Sequence, residues 1–596
     1  MHKILIPLLT VLVLLTACGG KPEPDPTQTD SPLQSTAAAP PTDVPPTSQP
    51  TDTSIPEPTT IEPTATDEGQ EASPIELPDF SGEPLPGDRG QFFVGSGRCS
   101  ICHTGMVDES GEDVSIDSYW RSTMMANAAR DPYWQATVRS ETLSNPGLEG
   151  IIEDKCSTCH MPMARTTLAA ESQVSFMLDD GLLNETHPLH NLAMDGVSCT
   201  LCHQIESANL GEEDSFSGGF LIDTQTQPGE RLNYGPYTVK PRMVRIMQAS
   251  SGFIPQQGTH IQKSELCATC HTLHTPTIDR NGEITGIFPE QMTYLEWLNS
   301  GYAQQKSCQD CHMPSADGSV VLSSTGGVPR GPFSKHAFVG GNTYSLGILR
   351  AFGPEIGVTS SSEQFEATIA RVVDQLQNRS AEVSILSTEV DGGKLIVNVQ
   401  VNNLTGHKFP TGYPSRRAWL HLTLLDEKGD VVFESGAWSQ DGHITGNDND
   451  ADGTTFEPHY NVINDPEMVQ IYEAIFADGD GGVTTELLRG SGYLKDNRLH
   501  PMGFDMNTEN DDIGIKGDAL TDKDFADGRD NIHYEIDLGE AGGPFTVNVE
   551  LLFQPISYRW AMNLERHQAA EIQRFLEYYN ALPNVPQVIG QASAEH

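Results

Sequence analysis

The chain has 596 residues, of which 82 are Asp or Glu and 35 are Lys or Arg, so its formal net charge at pH 7 is −47. This charge argues strongly against nucleic acid as a partner, because the phosphate backbone would be repelled. The length suffices for two domains with hydrophobic cores, even when the N-terminal segments described next are set aside.

Residues 1–18 are predicted to be a lipoprotein signal peptide. An apolar run from Ile4 to Leu15 follows a charged start and is too short to span a bilayer. The ending Leu15-Thr-Ala-Cys18 resembles a bacterial lipoprotein signal, which implies lipidation of Cys18 and a membrane anchor. An ordinary signal peptide with an incidental cysteine is the alternative. Either interpretation predicts export, to the periplasm or the cell exterior.

Residues 19–88 are rich in Pro, Thr, Ser, Asp and Glu, and no aromatic residue precedes Phe80. Such a composition cannot bury enough apolar surface to fold. The segment is therefore predicted to be a disordered tether that holds the remainder of the chain away from a membrane.

Between residues 99 and 312 the pattern Cys-x-x-Cys-His occurs five times. This pattern attaches c-type haem, with both thiols bonded to the haem and the histidine bound to iron as the proximal ligand. The copies, numbered motifs 1 to 5 in chain order, are Cys99/Cys102/His103, Cys156/Cys159/His160, Cys199/Cys202/His203, Cys267/Cys270/His271 and Cys308/Cys311/His312. Together they use ten of the eleven cysteines. Zinc sites or disulfides would not require a histidine after every pair, so the sequence predicts five covalently attached haem c groups.

Residues 89–360 are therefore predicted to form a pentahaem cytochrome c domain. Successive proximal histidines are 57, 43, 68 and 41 residues apart, which leaves little room for a protein core between sites. We expect a loop-rich module whose core is largely cofactor.

Several phrases in this region occur in multihaem c-type cytochromes. They are Cys-x-x-Cys-His-Met-Pro at 156–162 and 308–314, the segment 288–297 beginning Phe-Pro-Glu-Gln-Met, and His-Ala-Phe-Val-Gly-Gly-Asn at 336–342. The chain resembles a cytochrome c-554-type multihaem protein with an added C-terminal domain. The resemblance covers roughly 90–345 and, less closely, 400–560, and it implies a mostly helical module built around haem.

Each iron needs a ligand opposite its proximal histidine, and the sequence offers several candidates. The histidine candidates are His187, His190, His260, His336 and His407, with His274 weaker because it lies three residues after a proximal histidine. Methionine would raise the potential of its haem, and Met124 and Met125 are the weaker candidates of that type. Surface or core roles are the alternatives for each residue.

After residue 360 the pattern changes. Residues 361–379 carry an apolar stripe that predicts a linking helix, for which Ser360 and Glu363 form a possible capping box. Residues 380–560 show alternation typical of an antiparallel β-sandwich with an acidic insertion. Residues 561–596 are predicted to form a C-terminal helix and tail. The predicted fold class is mixed, with the haem module followed by the β-sandwich domain and this helix.

Two segments of the predicted β-sandwich could carry chemistry. The loop 405–419 contains His407 as well as Arg416 and Arg417, whose guanidinium groups could pair with haem propionates. The segment 447–453 has acids at alternate positions, as in a calcium-binding EF-hand loop. Counted from Asp448, however, the twelfth position is His459 rather than Glu, so the EF-hand pattern fails. A calcium site of another kind or a solvated acidic loop remains open there.

The sequence thus favours an electron relay whose partners are redox proteins, and an electron carrier over an enzyme. The alternative is an oxidoreductase that acts on a small nitrogen or sulfur compound at a haem with an open axial position. No motif replaces its final histidine by lysine, unlike the pentahaem nitrite reductases. A structural subunit of a haem filament is the third possibility.

Overall fold

The computed structural model describes residues 77–505 and 510–596. The predicted signal peptide, the lipidation site Cys18 and most of the predicted tether lie outside the described residues. Residues 77–360, called the motif half, consist of short helices joined by long irregular segments. The helices are α1 (Gly97–Ser100), α2 (Ile116–Trp120), α3 (Pro132–Ser144), α4 (Glu149–His160), α5 (Pro162–Ala170), α6 (His190–Met194), α7 (Cys199–Cys202), α8 (Pro241–Ser251), α9 (Ser264–His271), α10 (Thr293–Leu298), α11 (Cys308–His312), α12 (Thr343–Ala351) and α13 (Gly353–Ile356).

The motif half also contains two small pairs of strands that the sequence analysis did not predict. They are the parallel pair β1 (Leu232–Gly235) and β2 (Ile254–Gln257), and the antiparallel hairpin β3 (Leu273–Ile278) and β4 (Ile284–Gln291). The hairpin directly follows motif 4, so the chain leaves that motif in an extended conformation.

The linking helix α14 (Ser362–Arg379) lies where the apolar stripe predicted it. Its capping box, however, is formed by Ser361 and Gln364, one residue later than the expected Ser360 and Glu363. Gln364 fills the third helical position as well as Glu does. Phe365, Val372 and Leu376 are buried as the stripe requires.

Residues 380–596, called the β half, contain two larger sheets. The strands of this half are β5 (Ala381–Asp391), β6 (Lys394–Asn403), β7 (Arg417–Leu425), β8 (Val431–Ser435), β9 (Val462–Ile463), β10 (Ile471–Tyr472), β11 (Ala474–Ala477), β12 (Val483–Thr484), β13 (Gly492–Asp496), β14 (Arg529–Asp537), β15 (Thr546–Gln554) and β16 (Gln587–Glu595). One sheet has the order β5-β6-β14-β9, and the other has β10-β7-β15-β16 with β8 paired to β7.

The two sheets face each other across one hydrophobic core. Alternate residues of β6, such as Val397 and Val399, are fully buried against Leu422 of β7 and Val549 of β15. The turn at Gly392 and Gly393 joins β5 to β6, and both glycines have positive φ, which suits a two-residue hairpin turn.

The C-terminal region differs from its prediction. The helices of the β half are α15 (Asp448–Ala451), α16 (Tyr558–Met562) and α17 (Ala570–Ala581). The predicted tail is the strand β16, which pairs with β15 along nearly its whole length. Its small and polar residues, including Gly590, gave no strand signal in the sequence.

The described chain is thus of mixed class, with helices and several antiparallel sheets, as predicted. None of its helices in 77–505 and 510–596 is long and apolar enough to cross a membrane.

Candidate haem-binding cavity

One connected cavity of about 1530 Å³ runs through the motif half. It is lined by all ten motif thiols and all five motif histidines. The ten cysteines form no disulfide with one another. Apolar and aromatic side chains complete much of the wall, among them Trp120, Trp134, Tyr294, Trp297 and Phe338. The cavity therefore combines free thiols, imidazoles and a hydrophobic wall, which is the donor set that covalent haem requires.

Each motif lies on a short helix or at a helix end. In motif 2 the residues Cys156, Cys159 and His160 form the last turn of α4, whereas in motif 5 the helix α11 is the motif itself. Helical residues three and four apart share a face. Helical geometry therefore directs both thiols and the histidine of one motif towards the same space.

Four of the five proximal histidines use Nδ1 to bond a backbone carbonyl. The distances are 2.7 Å for His103 to Leu322 O, 3.0 Å for His160 to Ala128 O, 2.5 Å for His203 to Tyr234 O and 2.5 Å for His312 to Val339 O. Such a bond fixes the proton on Nδ1 and leaves the lone pair of Nε2 for a metal.

Burial also keeps these imidazoles neutral. Desolvation lowers the pKa of His160 and of His271 to about 4, and it lowers the pKa of His103, His203 and His312 as well. Neutral imidazole is the form that binds iron.

Two of the candidate distal histidines face a proximal histidine. The ring centroids of His203 and His336 are 6.4 Å apart with planes 24° from parallel, and those of His312 and His407 are 6.2 Å apart with planes 15° from parallel. Two imidazoles bound end-on to opposite sides of one metal ion have centroids about 6 Å apart, since a metal–imidazole bond is about 2 Å long, as for zinc. Both pairs have the spacing of axial ligands.

The ring of His407 is held in the same way as a proximal imidazole. Its Nδ1 lies 2.8 Å from the carbonyl oxygen of Lys408, which leaves Nε2 for the cavity. The following residue, Lys408, anchors the loop to the rest of the β half, because its buried ammonium pairs with Asp496 of β13 at 2.6 Å. Burial lowers the pKa of His407 to about 4 and that of His336 to about 3, so both are neutral.

The other four histidine candidates do not line the cavity. His190 bonds the carbonyl oxygen of Leu182 through Nδ1 at 2.9 Å, and His187 lines a separate surface depression. His260 uses Nε2, the atom that would bind iron, for a 2.9 Å bond to Ile205 O. His274 bonds Asp512 at 2.9 Å. Ligation by these residues stays a prediction, and their positions do not favour it.

Methionine thioethers also reach the cavity. Met124 and Met125 line it as the sequence analysis suggested. Met243 and Met247 of α8 line it too and were missed. They are four residues apart with Ile246 between them, so a helical apolar stripe was the signal that could have identified them. The sulfur of any of these residues could complete a haem that lacks a second histidine.

The two neighbouring arginines of the 405–419 loop have different roles. Arg416 lines the cavity and is half-buried, and burial lowers its pKa to about 10. Its guanidinium bonds Thr411 O and, at 2.9 Å, Asn342 Oδ1, and it has no carboxylate within 4.0 Å among the described residues. A half-buried cation without a counterion fits an anionic group such as a haem propionate.

Arg417 points the other way. Both of its terminal nitrogens lie 2.9 Å from the carboxylate of Asp450 in the core of the β half. The prediction that Arg417 pairs with a propionate is therefore wrong, because residues adjacent in a strand face opposite sides. The same contact engages the central acid of segment 447–453. A calcium ion there stays a prediction.

Thiols of different motifs approach one another closely. Cys199 lies close to Cys99, Cys159 to Cys270, and Cys267 to Cys308, near enough for the thiols of each pair to shift one another's pKa. Cys202 is close enough to Cys270 for the charge of one to raise the pKa of the other. Motif 1 is therefore adjacent to motif 3, motif 3 to motif 4, and motif 4 to both motif 2 and motif 5.

A group of titratable side chains lines the cavity near motif 2. Burial raises the pKa of Asp131 to about 6 and that of Glu141 to about 7. The buried hydroxyl of Tyr413 has no hydrogen-bond partner of good geometry. Among the described residues, no second imidazole ring pairs with His160, whose ring instead stacks on Trp134 at 4.3 Å.

Comparisons with known proteins give little further support. No protein-family profile matches the chain, and no curated protein does. A crystal structure of a penta-heme cytochrome c552 from Thermochromatium tepidum matches with 17% sequence identity and a TM-score of 0.44, over 81% of this chain and 96% of that chain. Similarity at this level is too low to support an argument about function, so the assignments above depend on the residues themselves.

Proposed function

We propose that the protein is an extracytoplasmic multihaem c-type cytochrome that relays electrons through five covalently attached haems. One observation carries the proposal. The thiols and imidazoles of all five motifs line a single cavity, and the motifs are joined into one network by thiol contacts. Each haem, when bound, would supply an iron that cycles between the ferrous and ferric states.

The chain's own residues would hold and tune these groups. The proximal histidines would bind iron through Nε2, His336 would face His203, and His407 would face His312. Arg416 would balance the charge of a propionate. The network runs from motif 1 through motif 3 to motif 4, where it branches to motifs 2 and 5.

Intact mass measured after acid denaturation tests the haem count. We expect a mass increase equal to five haems in the matured protein, because each motif is complete. Four or fewer would contradict the proposal. Potentiometric titration of the same sample should then show five one-electron centres.

The location at a membrane is part of the proposal and is supported by the ending Leu15-Thr-Ala-Cys18. Cys18→Ser should release the mature protein from membranes or leave its precursor uncleaved. Unchanged processing together with unchanged membrane retention would contradict lipidation. At the proposed location, the electron donor and the electron acceptor of the protein would be exported redox proteins.

A second function is favoured by the group near motif 2. An oxidoreductase for a small molecule needs an open axial position, an acid or base, and a charged group for the substrate. Glu141, Tyr413 and Arg416 provide such groups on the wall of the cavity. Electron paramagnetic resonance separates the two functions. Five low-spin haems would favour the relay alone, whereas a high-spin haem that binds carbon monoxide would favour an enzyme.

A further inference from the structure

A group of exposed or half-exposed cations lies around helix α8 and is unusual in so acidic a chain. No Asp or Glu occurs from residue 231 to residue 264, although the chain contains 82 acidic residues. The group, called the α8 basic patch, consists of Arg89, Arg98, Lys240, Arg242, Arg245 and Arg330.

The cations of the α8 basic patch have no acidic partners. Within the described parts of the chain, none of the six lies within 4.0 Å of a carboxylate oxygen. Arg89 bonds the carbonyl oxygens of Ser250 and Ser251 at the end of α8, and Arg330 bonds Thr238 O at 2.9 Å. Such bonds hold the guanidinium groups in place but leave their charge unbalanced. Their local potential is therefore positive on a chain whose net charge is −47.

The patch surrounds motif 1. Helix α8 packs against α1, which carries Cys99. The segment that contains Ser324 also lies beside motif 1, because Ser324 N donates to Cys102 O at 2.8 Å and Ser324 Oγ donates to Ile101 O at 3.3 Å. Further along this segment, Arg330 bonds Thr238 O just before α8. Ile101, inside motif 1, is 61% exposed and does not line the cavity. An apolar residue with a surrounding ring of charge is the usual composition of a docking surface.

Haem propionates do not account for the whole patch. Arg98, Lys240, Arg242 and Arg330 line the cavity, where they could meet carboxylates of a haem on motif 1. Arg89 and Arg245 do not line it, and Arg245 lies on the exposed side of α8, opposite Met243 and Met247. Part of the positive charge therefore faces outward.

We propose that the α8 basic patch is the docking surface for an acidic redox protein that exchanges electrons with the haem of motif 1. The proposal builds on the proposed electron relay. Of the thiol contacts described above, motif 1 takes part only in the one with motif 3, so it stands at one of the three ends of the network, where electrons can enter or leave. The opposite charges of patch and partner would orient the partner over that end.

Stopped-flow reduction of the oxidised holoprotein by reduced flavodoxin, an acidic flavin protein, tests the proposal. Arg245→Glu should lower the second-order rate constant about threefold or more at an ionic strength of about 10 mM, and the difference should nearly vanish at about 200 mM, since screening shortens the reach of the charge. Arg245→Lys should keep the wild-type rate. Lys428→Glu makes the same charge change at an exposed turn of the β half and should have no effect.

Equal rates for Arg245→Glu and wild type at low salt, or equal slowing by Lys428→Glu, would overturn the proposal. A shifted haem potential in Arg242→Glu, with unchanged flavodoxin rates in both arginine variants, would assign the patch to propionates instead and would also overturn it. Failure of the relay itself is recognised separately. In that case the wild-type protein would carry fewer than five haems or would not be fully reduced by dithionite.

Discussion

The imidazole of His336 illustrates how single residues determine the properties of this cavity. It lies 6.4 Å from the ring of His203, and within the described residues its own Nδ1 has no hydrogen-bond partner of good geometry. A buried imidazole with so few partners would be costly unless its other nitrogen bound a metal. Binding of its Nε2 to the iron of the proposed haem would remove this cost, and the same bond would supply that haem with its second axial ligand.

His336→Ala should convert one low-spin haem to a high-spin or water-bound haem. His336→Met should keep that haem low-spin and raise its potential, since thioether ligation favours ferrous iron. Electron paramagnetic resonance and potentiometry of the purified protein measure both effects. His407→Ala is expected to change a different haem, that of motif 5.

His274→Ala is the matched control, because that side chain bonds Asp512 away from the cavity. An unchanged spin-state spectrum and unchanged potentials in His336→Ala would show that His336 is not a ligand.

Asp530 is a buried carboxyl whose ionisation should weaken the fold. It is fully buried, its Oδ1 has no hydrogen-bond partner among the residues that the structure describes, and burial raises its pKa to about 8. Amide groups of Gln470 and Asn497 donate to Nδ1 of the nearby His459, so its Nε2 carries the proton and faces Asp522.

Because the folded pKa of Asp530 exceeds the unfolded value, the neutral carboxyl favours folding at low pH and this contribution is lost as pH rises towards 8. Asp530→Asn should therefore raise Tm relative to wild type by a few degrees at pH 8 and by much less at pH 5. Thermal unfolding at both pH values measures the difference. A constant or reversed difference would indicate that Asp530 is ionised in the folded state.

At the scale of elements, α14 shows what a sequence pattern can and cannot define. Its apolar stripe predicted the helix and its buried face, because burial of Phe365, Val372 and Leu376 needs only periodicity. Its first residue was misplaced by one position, since Ser360 and Ser361 are both capable caps and the choice depends on local geometry.

Ser361→Ala should destabilise α14 by about 1 kcal/mol, the typical value of an N-cap side chain. Ser361→Asp should be nearly neutral, because a carboxylate caps equally well and interacts favourably with the helix dipole. Amide hydrogen exchange of α14 is the measurement, and we expect about fivefold faster exchange in Ser361→Ala. Equal exchange in all three proteins would show that the observed capping box contributes nothing.

Distal ligands were the hardest part of the site to predict. Proximal histidines are defined by a local pattern of five residues, whereas His407 reaches His312 from 95 positions further along the chain. His187 and His190 seemed equally placed in sequence, yet the fold directs them outward. For α8, the apolar stripe of Met243, Ile246 and Met247 could have predicted a buried helix face, but not that this face lies against the cavity.

For the whole molecule, the two halves have different sources of stability. The β half has one large core that both sheets share, with many side chains fully buried. Among the described residues of the motif half, Leu346, Leu349 and Val358 join that core, whereas the part of this half before residue 340 forms smaller separate apolar clusters around the cavity of about 1530 Å³. Its helices are short, and short helices are marginal without tertiary packing.

The motif half should therefore fold only with its haems in place. Protein produced without haem attachment is expected to show fast amide exchange throughout α1 to α11, while β6, β7, β14 and β15 remain protected as in the holoprotein. The physical reason is that ordering the motif half costs conformational entropy that only burial against the haems can offset. Hydrogen exchange followed by mass spectrometry measures this, with the holoprotein as the control. Equal protection of both halves without haem would show that the protein core alone stabilises the motif half.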